Sequence, residues 1–394
     1  MIKYPFDPST LDALPEELAE LFRGLELSLL EKIAEQLKAP GGINEVTIQN
    51  IRVLRSHGIS LKEIQKAIRE TTRISQAKLN SLINDVVQRN QVYFNELIDL
   101  AKITAPQTLV DAAVIGAITR QTVGELRNIT RSMGFVVDSG RTIIAPAKSY
   151  QWALDNAVIQ MQSGAVSYNQ AIANATRQLA NGGLRYVDYE SGHTDCIDVA
   201  VRRAVMTGVG QINEQYNIQS LEYLETDLVE VSAHIGARNT GEGFENHESW
   251  QGKVYRWKKY PKVSKGDYPD FEDTCGLGDV QGIHGANCRH WYSPFIEGVM
   301  EPTYTDEQLE NLKAKTFTYE GKEYDSYTAT QKQREIERAI RKQRRIEAAA
   351  TDEKDAKVAR ARIRILNKKY KEFSEAAGLK MQKSRATLAY LQKD

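Results

Sequence analysis

Apolar residues recur at helical spacing along almost all of this chain, and the pattern breaks once, between about Leu221 and Glu297. That predicts a mainly α protein with a small α+β domain set into it. In ELAELFRGLELSLLEKIAEQL the residues Leu18, Leu21, Phe22, Leu25, Leu29 and Leu30 share one face, and Pro15 suits the first turn. Pro40-Gly41-Gly42 ends that helix. NEVTIQNIRVLRSHG then stops at Gly58, and Ser60 and Glu63 have capping-box spacing ahead of SLKEIQKAIRETTR. SQAKLNSLINDVVQRNQVYFNELIDLAK reads as a further, longer helix. Residues 1–118 are thus expected to form a helical N-terminal arm or bundle, and such an arm serves docking more often than catalysis.

Residues 119–220 read as a helical middle region whose segments end in Gly or polar runs. Within it GFVVDSGRTIIAP has the texture of a short strand pair, and His193 is a loop residue before a helix that Asp195 is placed to cap. Residues 221–300 form the small α+β domain: DLVEVSAHIGAR and GKVYRW have the β-branched and aromatic texture of strands, punctuated by glycines. Residues 301–394 are expected to give a short hairpin and a basic helical tail of one or two long helices closing at Gly378.

The formal net charge of zero over 394 residues hides an asymmetry. From Gln331 onward there are 19 Lys/Arg against 9 Asp/Glu, which leaves 33 against 43 in the first 330 residues. An acidic body therefore carries a basic tail. With 41% apolar and 26% charged residues, disorder is excluded as the dominant state. The start has no basic segment followed by an apolar one, and no window approaches 18 uninterrupted apolar residues, so neither a signal peptide nor a membrane span is expected. Three widely spaced cysteines argue against a disulfide framework and for synthesis in a reducing compartment.

Four of six histidines and two of three cysteines fall between Ser232 and His290. Cys275, His284, Cys288 and His290 are a candidate structural zinc set, two thiolates and two imidazoles, although C-x8-H-x3-C-x-H departs from the usual C-x2-4-C knuckle. The plainer reading is a hydrogen-bonded histidine and thiol core. A catalytic reading assigns no residue firmly: His284, Asn287 and His290 share residue types with an HNH nuclease without its spread over a ββα unit. His234, Arg238 and His247 would then act as base and phosphate clamp. Trp250, Trp257 and Trp291 read as the core of this domain.

In the tail, Arg334, Arg338, Arg341, Arg344 and Arg345, with Arg360, Arg362, Arg364, Lys368 and Lys369, are candidates for phosphate contact, against the plainer reading of a solvated helix face with i,i+4 pairs such as Glu337 with Arg341. Acidic residues are interspersed before Lys357 and sparse after it, so the second five are the chief candidates. An acidic protein partner fits them equally.

Taken in order, GELRNITRSMGF, SYNQAIANATRQLANGGLRYVDYESGHTDCIDVAVRRAVMTGVGQ, SAHIGAR followed by HESWQGKVY, GIHGANCRHWYSPFIEG and the tail segment YTATQKQREIERAIRKQRRIEAA resemble the type 2 phage minor capsid proteins, minor head proteins of tailed phages. His193 and Asn239 stand where that pattern leads one to expect arginine and proline. The resemblance implies a virion protein of the phage head, made in the host cytoplasm and present in few copies or as a homo-oligomer. It also implies a structural role beside the portal protein and other head proteins, in head assembly and DNA packaging or delivery, with packaged double-stranded DNA as a candidate partner and no membrane. It transfers no catalytic residues. A metal-dependent nuclease or toxin-like enzyme built on the His/Cys cluster, and a DNA-binding module acting through the basic tail, are the alternatives.

Overall fold

The computed structural model describes residues 4–38, 61–104, 106, 108–140, 142–162, 166–188, 192–285, 288–313 and 315–386. The expected helix stop at Pro40-Gly41-Gly42, the segment 44–58, the capping Ser60 and Asn287 lie outside these residues. Helix dominates, with small antiparallel sheets, as the apolar spacing predicts.

The helical body is built around α2 (Glu16–Leu37), which follows the short α1 (Pro8–Ala13). Leu18, Phe22, Leu25, Leu29, Leu30, Ile33 and Leu37 are all buried, and so are Arg23 and Glu26 on the same helix. Such a helix, exposed only at Glu17, Glu35 and Gln36 near its ends, must be surrounded along most of its length. It packs against α3 (Leu61–Ala101), α6 (Tyr168–Gly182) and α7 (Ile197–Tyr223), while α4 (Ala112–Ser132) and α5 (Ser149–Gln162) complete the body. One apolar core runs through these helices from Phe6 to Tyr216.

The two segments read separately, one ending at Arg73 and the next starting at Ser75, are one continuous helix, α3. Its polar stretch does not break it because the hydroxyls bond back along the helix: Thr72 Oγ1 to Ile68 O at 2.7 Å and Ser75 Oγ to Thr72 O at 2.8 Å. Against the body lies a four-stranded antiparallel sheet of order β2-β1-β3-β4, made of β1 (Gly134–Val137), β2 (Thr142–Ile144), β3 (Leu184–Val187) and β4 (Thr194–Cys196). The strand pair in GFVVDSGRTIIAP is β1 and β2, with Phe135 opposite Ile144. Gly182 is required where α6 meets this sheet, since a Cβ there would stand 1.4 Å from the Val136 carbonyl oxygen. Asp195 does not cap α7 as its position suggested. It lies in β4, pairs with Arg203 at 2.6 Å and faces His193 at 3.3 Å, and Cys196 holds the cap position without a side-chain bond.

The α+β unit is a three-stranded antiparallel sheet in which β5 (Leu228–Val231) lies between β6 (Val254–Arg256) and β7 (Tyr292–Phe295), with two short helices, α8 (His247–Trp250) and α9 (Phe271–Cys275). Trp250, Trp257, Tyr255, Phe271, Cys275 and Tyr292 form its core. Trp291 is buried but joins the core of the helical body instead. Asn217 of α7 donates to the Tyr292 carbonyl at 2.7 Å, a second tie between unit and body. SAHIGAR is not strand: β5 stops at Val231, and the chain turns away through Gly236 at φ +74°.

The C-terminal part begins with α10 (Asp306–Leu312) and the hairpin β8 (Phe317–Tyr319) and β9 (Lys322–Tyr324). Two long helices follow, α11 (Ser326–Ala348) and α12 (Glu353–Ala376), then the short α13 (Lys383–Ala386). α11 and α12 pack together around Tyr324, Ile336, Ile340, Tyr370 and Phe373. The basic tail is not a solvated appendage. Arg341 reaches Asp198 at 3.6 Å, Arg345 reaches Glu26 at 3.6 Å, and Arg385 reaches Asp12 at 2.6 Å and Glu16 at 3.7 Å. Arg202 joins Asp12 and Glu16 at 3.0 and 2.8 Å. Part of the charge asymmetry along the chain is thus neutralised internally.

Burial alone would raise the Asp12 carboxyl, but the guanidiniums of Arg385, Arg289, Arg202 and Arg334 outweigh it and hold the group below the usual carboxylate range. Asp12→Asn is therefore expected to lower stability by about 2–3 kcal/mol, the scale of hydrogen bonds to charged groups, with the urea m-value unchanged. A change within about 0.5 kcal/mol, that of an ordinary surface substitution, would mean that the clamp carries nothing.

Candidate functional site

The loop after β5, helix α8 and the segment before β7 bring His234, His247 and His290 together. Ser232 and Trp291 pair through Ser232 N to Trp291 O at 2.7 Å and Trp291 N to Ser232 Oγ at 2.8 Å, which sets His290 beside the departing loop. The His290 ring stacks on His234 with centroids 4.4 Å apart and stands edge-on to His247 at 5.3 Å and to Trp250 at 4.8 Å.

Hydrogen bonds assign the proton positions. Gln251 Oε1 accepts from the His234 backbone N–H at 3.0 Å, so the atom 3.0 Å from His290 Nε2 is an oxygen, and His290 carries its proton on Nε2. His247 Nε2 lies 2.7 Å from the Gln281 carbonyl oxygen and must likewise donate. Both rings keep a lone pair on Nδ1. That of His290 faces Cys288 Sγ at 3.6 Å, and the His290 backbone N–H points to the same sulfur at 3.4 Å. His247, Cys288 and His290 each offer a ligand atom, and these atoms lie within 4.8 Å of one another.

His234, Arg238, His247 and His290 also line one cavity of about 60 Å³, together with Gly236, Arg289, Tyr327, Gln331 and Arg334. The last three lining residues named come from α11. Gly236 makes their approach possible, because a Cβ there would meet Thr330 Cγ2 at 2.9 Å and the Ser326 carbonyl oxygen at 3.1 Å. Among the described residues three guanidiniums line the cavity and no carboxylate does. Arg289 donates to the Gly236 carbonyl at 3.4 Å, Arg238 to that of Gln281 at 3.1 Å, and Arg334 makes no hydrogen bond or ion pair among the described residues. Burial and the neighbouring Arg289 and Arg385 lower the Arg334 pKa, a sign of positive charge crowded together.

Of the other residues singled out in the sequence, Cys275 is buried in the aromatic core of the unit, where burial drives its thiol pKa upward, and no cluster of ligand atoms among the described residues includes it. His284 sits at φ +63°, stacked on Trp291 at 4.6 Å and Tyr292 at 5.2 Å, outside the cavity lining. Of the five tail cations, Arg362 and Arg364 are exposed and unpaired among the described residues, and Lys368 pairs with Glu372 at 3.7 Å. Arg360 pairs with Glu353 and, at 3.7 Å, with Glu347, while Lys369 holds Glu320 at 2.6 Å. Sequence reasoning missed Gln251 and Arg289 and named Arg334 only among the tail cations. Arg289 lay in plain view between Cys288 and His290, whereas nothing in the tail marked Arg334 as facing a cavity.

Burial, then the charge of Arg289, pushes His234 down to about 3, and burial alone takes His284 to about 4. Burial raises the Cys288 thiol to about 11. The site is built of neutral imidazoles and a protonated thiol, ringed by cationic guanidiniums.

These features define a helical protein with an inset α+β unit, which carries a buried histidine and thiol cluster beside an arginine-lined cavity. The family described as Phage minor capsid protein 2 matches residues 6–375, nearly the whole chain, and the chain belongs to that family. It is therefore a structural protein of a phage, associated with other head proteins in the virion. No curated protein and no solved structure matches it. Among the described residues no helix is long and apolar enough to cross a membrane.

The depressed histidines carry a signed prediction. Below about pH 6.5 the unfolded chain takes up protons that folded His284 and His234 refuse until about 4 and 3. Their contribution is fully present above 6.5, and stability should fall steadily as pH drops through that window. Denaturation followed by tryptophan fluorescence measures this, since three of the four tryptophans lie in or beside the unit. A flat profile between pH 6.5 and 4 would contradict the burial of neutral imidazoles.

Proposed function

We propose that this chain works at the portal region of the phage head, in head assembly and in packaging or delivery of DNA, with the portal protein as a docking partner. Membership of the minor capsid family along residues 6–375 carries the placement in the head. The reading of the DNA contact rests on one observation, the division of labour among the C-terminal cations. Arg341, Arg345 and Arg385 turn inward to carboxylates, whereas Arg362, Arg364 and Lys368 are exposed on α12, Arg362 and Arg364 with no partner among the described residues and Lys368 held only by Glu372 at 3.7 Å. Exposed cations on a helix suit a polyphosphate backbone, which they contact without regard to base sequence.

A second reading, a metal-dependent hydrolase, has in its favour that His234, Arg238, His247 and His290 border one cavity. Against it, no carboxylate lines that cavity to act as a base, and about 60 Å³ is far below the roughly 300–1,000 Å³ of small-molecule sites. The structural reading is the better supported.

Truncating the tail is a poor test, because it would also remove the inward arginines and unseat α11. Charge reversal of the outer face, Arg362→Glu with Arg364→Glu and Lys368→Glu, leaves the core and the inward pairs in place. The triple variant is expected to bind double-stranded DNA at least about tenfold more weakly, and the slope of log affinity against log salt should shrink by about two to three. Unchanged affinity and slope, in a variant as stable as wild type, would remove DNA contact from this helix.

A further inference from the structure

We propose that His247 Nδ1, Cys288 Sγ and His290 Nδ1 form a zinc site, with the fourth coordination position left to water or an anion from the arginine-lined cavity. This goes beyond the head-assembly reading and does not depend on it. The site differs from the set suggested by sequence spacing, since His247 replaces Cys275 and His284.

Three observations carry it. The ligand atoms converge from two segments, the helix that carries His247 and the stretch that carries Cys288 and His290, to within 4.8 Å of one another. Zinc bonds of about 2.3 Å to sulfur and 2.0–2.1 Å to nitrogen at tetrahedral angles require an S···N edge of about 3.6 Å. Cys288 Sγ and His290 Nδ1 stand 3.6 Å apart. The second observation is the orientation of the rings. Metal-binding histidines donate their other N–H to a carbonyl or carboxylate, which fixes the tautomer and aims the lone pair. Both rings do so here, His290 to Gln251 Oε1 at 3.0 Å and His247 to the Gln281 carbonyl at 2.7 Å.

The third is the surroundings. His247 and His290 are buried, and no fourth protein ligand joins the group among the described residues. Three protein ligands with one open position is the arrangement of zinc sites that accept an exogenous ligand. The cavity that His247 and His290 border carries Arg238, Arg289 and Arg334 and no acid, so the ligand admitted there is anionic. One thiolate with two imidazoles selects zinc over magnesium or calcium, which prefer oxygen. Binding releases the Cys288 proton to solvent as the sulfur–zinc bond forms, and both histidines already present neutral Nδ1 atoms, so the charge and proton count balance without a redox step.

The test uses the full chain, purified without a histidine tag and loaded with zinc or cobalt(II) alone. About one metal per chain is expected. X-ray absorption of the zinc protein should show one sulfur at about 2.3 Å and nitrogen or oxygen neighbours at about 2.0–2.1 Å. Two sulfurs would bring in Cys275 and overturn the assignment, as would none or a failure to take up metal. In the cobalt protein a thiolate charge-transfer band should vanish in Cys288→Ala and persist in Cys275→Ala, and the reverse would refute the site. Gln251→Leu should weaken metal binding by about 10–100-fold through loss of ring orientation, and unchanged affinity would contradict that positioning role. Added phosphate should alter the visible bands of the cobalt protein, and an unaltered spectrum would overturn the open fourth position. Because the absorption measurement is made on wild type, a variant that misfolds leaves the ligand set decidable.

Discussion

The arrangement depends on a set of arginines that point the wrong way for a solvated tail. α11 would be an unremarkable charged helix if its cations faced water. Instead Arg341 and Arg345 meet Asp198 and Glu26, carboxylates on α7 and α2 that are themselves almost sealed from solvent. Taking such charges out of water is costly, and partners on elements far apart in sequence offset the cost only if those elements stay docked. The acids of the body and the bases of the C-terminal helices therefore specify each other's position. Arg385 on α13 closes the same network on Asp12 and Glu16 at the opposite end of the chain.

The site inherits its geometry from that docking. α11 begins against the loop after β5, where Gly236 admits Ser326 and Thr330, and it contributes Tyr327, Gln331 and Arg334 to the cavity wall. Within the same helix, Arg341 and Arg345 are anchored to the body. A helix of 23 residues thus links the α+β unit to the central helix α2, and the cavity is closed by an element whose position is set elsewhere. Trp291 works in the same sense from the other side, since it neighbours His290 in sequence yet packs in the core of the body.

Much of this was legible before any coordinates. Helical periodicity announced α2 and the two long C-terminal helices, and the switch to β-branched and aromatic texture announced β5 and β6, because burial on one face imposes those periods directly. The strand pair within GFVVDSGRTIIAP showed for the same reason. What stayed hidden was anything set by where separated segments return. Cys275 and Cys288 looked like a ligand pair by proximity in sequence, yet Cys275 turns into the aromatic core while His247 arrives from α8. The inward arginines looked solvated because their carboxylates lie more than a hundred residues away. Asp195 looked like a helix cap because it lies just ahead of α7, yet it is the middle residue of β4, whose pairing with β3 the local sequence does not show. The single helix α3 looked like two, one ending at Arg73 and the next starting at Ser75, because back-bonding hydroxyls such as those of Thr72 and Ser75 are invisible in a one-dimensional pattern.

The C-terminal helices are integral to the body, held there by buried ion pairs. Hydrogen–deuterium exchange across α11 tests it most directly, since exchange protection reports local opening free energy. The backbone amides around Ile336 and Ile340 are predicted to exchange only through the same slow opening that exposes the core of α7. Fast exchange throughout α11, with α7 still protected, would show that the helix samples a detached state readily and would contradict the clamp.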